Sequence, residues 1–165
     1  MPLPPADRLR LAKEHFEERV EAAKEFFELA EHARTRHYRK RAAFLIHQAL
    51  EQTYSCVLLT LTNYSQPSHS IKFLRSLAEG QDRRLAEAFP RDQHQERAWF
   101  NTLNEAYVKA RYSKHFEISE EALGWLAEQT ALLLELAETV CKGHLGILEG
   151  IVSSDAIKRD SLSCG

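Results

Sequence analysis

Long stretches of this chain pass without a residue that would break a helix. Six glycines and five prolines are spread over 165 residues, most of them near the ends or in two short loops. The segments between carry apolar residues at helical spacing. That pattern predicts a protein that is nearly all helical: an all-α, up-and-down antiparallel bundle of four long helices with one or two short ones. At 44% hydrophobic residues, the chain can bury one core without help from metals or disulfides. One domain over residues 1–147 is expected, with a C-terminal tail over 148–165 that has little periodicity and reads as a mobile tail or an extension that docks on another chain.

The helices can be followed in order. From about Asp7 to His32, Leu11, Phe16, Val20, Ala23, Phe27 and Ala30 form one stripe, and a series of glutamates falls mostly outside it, as in a solvated helix laid on a core. A second helix, about Tyr38 to Thr62, puts Phe44, His47, Leu50, Tyr54, Val57, Leu58 and Leu61 on one face and is the most apolar and central element. Asn63 can close it, and Ser68 or Ser70 can cap a short helix from Ile71 to Ala78 that stops at Gly80. Another short turn of helix spans Arg83 to Phe89. Asp92-Gln-His-Gln95 is an Asp-capped variant of the capping box and opens a helix running to about Tyr112. Ser119, followed by Glu120 and Glu121, caps a last long helix to about Cys141 or His144, beyond which Gly143, Gly146 and Gly150 discourage continuation.

The formal charge of −2 argues against a globally basic nucleic-acid binder, so phosphate recognition needs a local patch. Arg34-Thr-Arg-His-Tyr-Arg-Lys-Arg41 is the only dense basic run, with five Lys or Arg in eight positions. It reads either as a solvated helix junction or as a phosphate contact. The three cysteines show no zinc spacing and suggest a reducing, cytoplasmic setting; no metal or cofactor is expected. No apolar run approaches the roughly 20 residues of a membrane span.

Candidate functional residues concentrate in Tyr107-Val-Lys-Ala-Arg-Tyr-Ser-Lys-His115. Arg111 follows Tyr107 by four positions and leaves the buried face of its helix just where the helix ends, so it needs an anion, a carbonyl or a cavity. Its guanidinium could grip a phosphate, and His115 could exchange protons near neutral pH. Alternatively Arg111 caps carbonyls and His115 is an exposed turn residue. His47, within an apolar stripe, reads as a hydrogen-bonded core or interface residue before a catalyst, and His69 either holds its loop against the second helix or approaches a ligand.

Three stretches, Ala42-Ala-Phe-Leu-Ile-His-Gln-Ala-Leu-Glu51, the Thr60-to-Leu74 loop and helix with His69, and Ala106-Tyr-Val-Lys-Ala-Arg-Tyr112, together resemble the HEPN (higher eukaryotes and prokaryotes nucleotide-binding) family. The resemblance covers about residues 10 to 145 and is nearest to the HEPN half of bacterial proteins that carry a minimal nucleotidyltransferase domain before it. It implies a helical bundle that dimerises through its central helices around a cleft. It also implies a nucleotide- or RNA-phosphate ligand, with Arg111, Lys109, Tyr112, His69 and His47 as the expected binding set. No Gly-Ser followed by paired aspartates occurs here, so a nucleotidyltransferase is expected as a partner or a missing domain.

Many HEPN proteins are metal-independent ribonucleases whose motif is an arginine, a polar residue and then a histidine after four to six intervening positions. Arg111 matches the arginine, but only three residues separate it from His115, and Tyr112 stands in place of the polar residue. The resemblance therefore implies a non-catalytic binding and dimerisation module. The alternatives are a toxin-type ribonuclease, with Arg111 and His115 as its catalytic pair, and a purely structural helical dimer.

Overall fold

A computed structural model describes residues 2–164. It contains α1 (Pro5–Thr35), α2 (Arg39–Thr62), α3 (Ile71–Gln81), a 3-10 turn (Arg83–Glu87), α4 (His94–Asn104), α5 (Ala106–Tyr112) and α6 (Glu120–Ser163), with no strand among the described residues. The all-α bundle that the periodicity predicts is the fold. No helix among the described residues is long and apolar enough to cross a membrane.

Helix α2 lies at the centre. Ile46, Leu50, Tyr54 and Val57 along it are fully buried, and α1, α3, α5 and α6 all pack against it. Helix α1 reaches it through small side chains, with Ala23, Ala30 and Ala33 buried, so the two backbones approach closely while Glu14, Glu17 and Glu21 stay on the far side. Two ion pairs fix how α1 meets α6: Lys13 with Glu149 at 3.3 Å and Lys24 with Glu138 at 2.7 Å. The numbers rise along one helix as they fall along the other, so the two are antiparallel. Each exposed pair contributes little energy, yet together they mark a single register. At the opposite end from Lys13, the tight α1–α2 turn carries His37 at φ 60°, and its Nδ1 pairs with Glu120 at the start of α6.

Several boundaries follow from local chemistry. Asn63 closes α2 in the left-handed conformation at φ 61°, where a short polar side chain is tolerated. Ser70 caps α3 by accepting from the Phe73 amide, and Ser119 caps α6 by accepting from the Ala122 amide. Gly80 does not stop α3, which runs one residue past it to Gln81.

Two expectations are corrected. The helix expected from Asp92 to Tyr112 is two helices, broken at Glu105, and it opens at Gln93 with no side-chain cap. Beyond the break, α5 lays Ala106 and Ala110 into the core. The last helix does not end near Cys141 or His144 but continues to Ser163. Leu145 and Leu148 pack there against Ala12 of α1, with Leu9 and Phe16 beside them, and tertiary packing of this kind overrides the low helix propensity of glycine. An added Cβ at Gly143, Gly146 or Gly150 would meet nothing within 4 Å.

Those glycines therefore cost helix stability without serving a close contact. Gly143→Ala and Gly146→Ala should each stabilise the protein by about 0.5–1 kcal/mol, measured by denaturant unfolding. A neutral or destabilising result at both positions would contradict a continuous α6.

Candidate functional site

A helix buried on all sides must satisfy any polar side chain it carries, and α2 carries His47, Gln48 and Glu51, all buried. The loop between α2 and α3 folds back to meet them. The backbone carbonyl of His69 lies 2.8 Å from His47 Nε2. A carbonyl can only accept, so Nε2 carries the proton and Nδ1 is left to accept from the Gln48 amide at 3.3 Å. His69 Nδ1 donates to Glu51 Oε1 at 2.6 Å. Asn104, at the end of α4, braces the far side of this loop by accepting from the Lys72 amide at 3.0 Å.

Burial holds His47 neutral, lowering its pKa from 6.5 to about 4; the hydrogen bond to His69 opposes that shift and the nearby His69 charge adds to it. His47 is thus a structural donor that fixes the loop, the first of the two readings its position allowed. His69 holds the loop against α2 while its side chain stays largely exposed.

Helix α5 completes the cluster. The Tyr107 ring is stacked on the His69 imidazole, centroids 3.7 Å apart and planes within 9°, and lies within 6.0 Å of Phe44. One turn later, the Arg111 guanidinium sits 4.4 Å from the Tyr107 ring, 5.2 Å from Phe44 and 4.9 Å from Tyr112. Its Nε donates to the Tyr107 carbonyl at 2.7 Å, so it does cap a carbonyl at its helix end. That bond uses one N–H of five, and no ion pair engages the rest among the described residues. An exposed cation seated on aromatic faces, with a fork of donors still open, can receive a phosphate through two parallel hydrogen bonds.

The other predicted residues divide. Tyr112 is 75% exposed beside Arg111. Lys109 is tied to Glu105 at 2.8 Å, which offsets its charge. His115 lies in the exposed turn after α5, its backbone amide donating to Ser113 Oγ, and no hydrogen bond joins it to Arg111 among the described residues. The histidine stacked on the Tyr107 ring that carries Arg111 is His69, with His47 tilted against the same ring at 5.7 Å. Sequence reasoning missed Glu51 and Phe44 as members of the cluster. Glu51 could have been found as a carboxylate one turn after His47 in the most apolar helix of the chain.

The basic run divides in the same way. Arg34 pairs with Glu31 at 2.8 Å and His37 with Glu120, while Lys40 Nζ reaches the Ser113 carbonyl at 3.5 Å. Arg36, Arg39 and Arg41 have no ion pair among the described residues, and Lys40 brings the run to the turn that follows Arg111. No cluster of His, Cys, Asp or Glu that could hold a metal ion occurs among the described residues.

The state of His47 has a measurable consequence. In the unfolded chain it protonates near its ordinary value, whereas the folded protein resists the proton until about 4. Stability should therefore fall as pH drops from about 6.5 to about 4, by about 3 kcal/mol from this residue, and level off below. His47→Gln keeps a donor for the His69 carbonyl and cannot titrate, so unfolding measured across that range should lose this part of the slope. Identical pH profiles for the two proteins would contradict a buried neutral His47.

No curated protein matches the chain. A family model described as the HEPN domain matches residues 16–142.

Proposed function

The chain belongs to the HEPN domain family, and on that premise we propose that it is a non-catalytic module that recognises a nucleotide or RNA phosphate through Arg111. Membership supports a nucleotide- or RNA-related function broadly. The observation that carries the finer reading is the seat of Arg111: a permanent cation on the rings of Tyr107, Phe44 and Tyr112, without a carboxylate partner among the described residues. Tyr112 offers a neighbouring base an exposed face to stack on. His69, stacked on Tyr107 and oriented by Glu51, keeps Nε2 for a second contact to the same ligand.

Recognition is favoured over cleavage because the histidine required by the ribonuclease motif is displaced in spacing from Arg111. In this reading the module also dimerises and serves a nucleotidyltransferase. Exposed Val108 and Tyr112, flanking Arg111 on α5, supply apolar surface for a second copy to cover, which would bring two arginines into one water-poor cleft and strengthen their pull on an anion.

Calorimetry with ATP, GTP and a short single-stranded RNA tests the reading. Arg111→Ala should weaken binding by about tenfold or more, the usual scale of a hydrogen bond to a charged group, and Arg111→Lys should recover only part because it keeps the charge without the fork. Affinity unchanged by Arg111→Ala would remove that residue from the site. Labelled RNA incubated in EDTA should stay intact; cutting that is lost in Arg111→Ala and His115→Ala would instead assign a ribonuclease. Light scattering should return a dimer, and a monomer at every accessible concentration would refute the shared cleft.

A further inference from the structure

A second cationic pocket lies away from Arg111, between α3, α4 and α6. Lys72, Arg75, Arg91 and Arg97 line a cavity of about 170 Å³, far above the ~10–15 Å³ that one water needs. The cavity also has aromatic walls. Phe89 meets Phe100 edge-on at 4.9 Å and Trp125 at 5.9 Å, and the Arg75 guanidinium lies over the Phe100 ring at 4.0 Å.

The charges do not balance. Against four cations stand Glu96 in the lining and Glu79, which takes Arg91 at 2.7 Å and lies 3.9 Å from Arg75 Nε, too far for a hydrogen bond. Arg75 is 7% exposed, and neither its Nε nor the facing Glu79 Oε1 has a hydrogen-bond partner among the described residues. A buried guanidinium left this way carries a substantial penalty. Burial first, and then the nearby charge of Arg91, lower the pKa of Arg75, so the two guanidiniums lie close enough to repel.

Two cations in excess, an unsatisfied buried donor and room for several atoms are the requirements of a dianion. The geometry points to this cavity as a binding site for a phosphate dianion, held by Arg75, Arg91 and Arg97 with Lys72 at its mouth. Free phosphate and the terminal phosphate of a nucleotide or RNA share this chemistry. Trp125, the partly exposed aromatic of the wall, favours the monoester, whose organic part can lie against it. This site does not depend on Arg111 or on the function proposed for it.

Trp125 in the wall provides a local signal, and Trp99→Phe leaves it as the only indole of the two in the chain. The full Trp99→Phe chain is titrated with sodium phosphate, AMP and adenosine, following fluorescence and calorimetric heat. Phosphate and AMP should each give a saturable change, and adenosine none. AMP tighter than phosphate by about tenfold identifies a phosphomonoester site, while equal affinity identifies free phosphate as the ligand. Lys72→Ala and Arg97→Ala, both at exposed positions where circular dichroism can verify the fold, should each weaken binding several-fold, and Arg111→Ala should leave the Trp125 signal unchanged. No saturable change up to about 10 mM ligand, an affinity weaker than any useful site, would overturn the proposal. So would binding indifferent to Lys72 and Arg97, or a signal abolished by Arg111→Ala.

Discussion

The enclosure of α2 governs the rest of the molecule. A helix packed on all sides can be apolar throughout, or it can carry polar groups whose partners are supplied from elsewhere. This one takes the second course. His47, Gln48 and Glu51 sit among Ile46, Leu50 and Tyr54, where an unpaired polar group would cost roughly 1–3 kcal/mol. Gln48 donates to His47, and the α2–α3 loop supplies the partners of His47 and Glu51 and is held in one conformation by them. With the loop fixed, the His69 ring stands where Tyr107 can stack on it, and Tyr107 in turn carries Arg111. The exposed cation is thus positioned by polar residues inside the core, through a chain of contacts that crosses three segments of sequence.

This arrangement explains why part of the molecule was legible in the sequence and part was not. The faces of α1 and α2 follow from side-chain period alone, and caps such as Asn63, Ser70 and Ser119 are local signals that their neighbours do not override. The break at Glu105 and the persistence of α6 past three glycines depend on distant contacts: Ala106 and Ala110 entering the core, and Leu145 and Leu148 meeting α1. Local propensity points the other way in the second case, and packing wins.

The candidate site divides along the same line. Arg111 leaving an apolar face at a helix end is visible from spacing. Its seat on Phe44, which lies 67 residues earlier, is visible only in the fold. The role of His69 was open to two readings because loop residues acquire partners from the tertiary structure, and here those partners are Glu51 and Tyr107. The crowding of Arg75 and Arg91 gave no sequence signal, since it arises where α3 and the segment before α4 converge on one carboxylate, Glu79.

The alanine face of α1 has its own implication for how this protein can change over time. Ala23 and Ala30 are fully enclosed, so a larger residue at either would force α1 away from its neighbours, a penalty of about 1–3 kcal/mol for each overpacked position. The glutamates on the opposite side of the same helix touch solvent and can be exchanged at little cost. One helix therefore presents a face closed to variation and a face open to it. The open face is where related proteins can acquire different charge, and with it different company, without disturbing the core that positions Arg111.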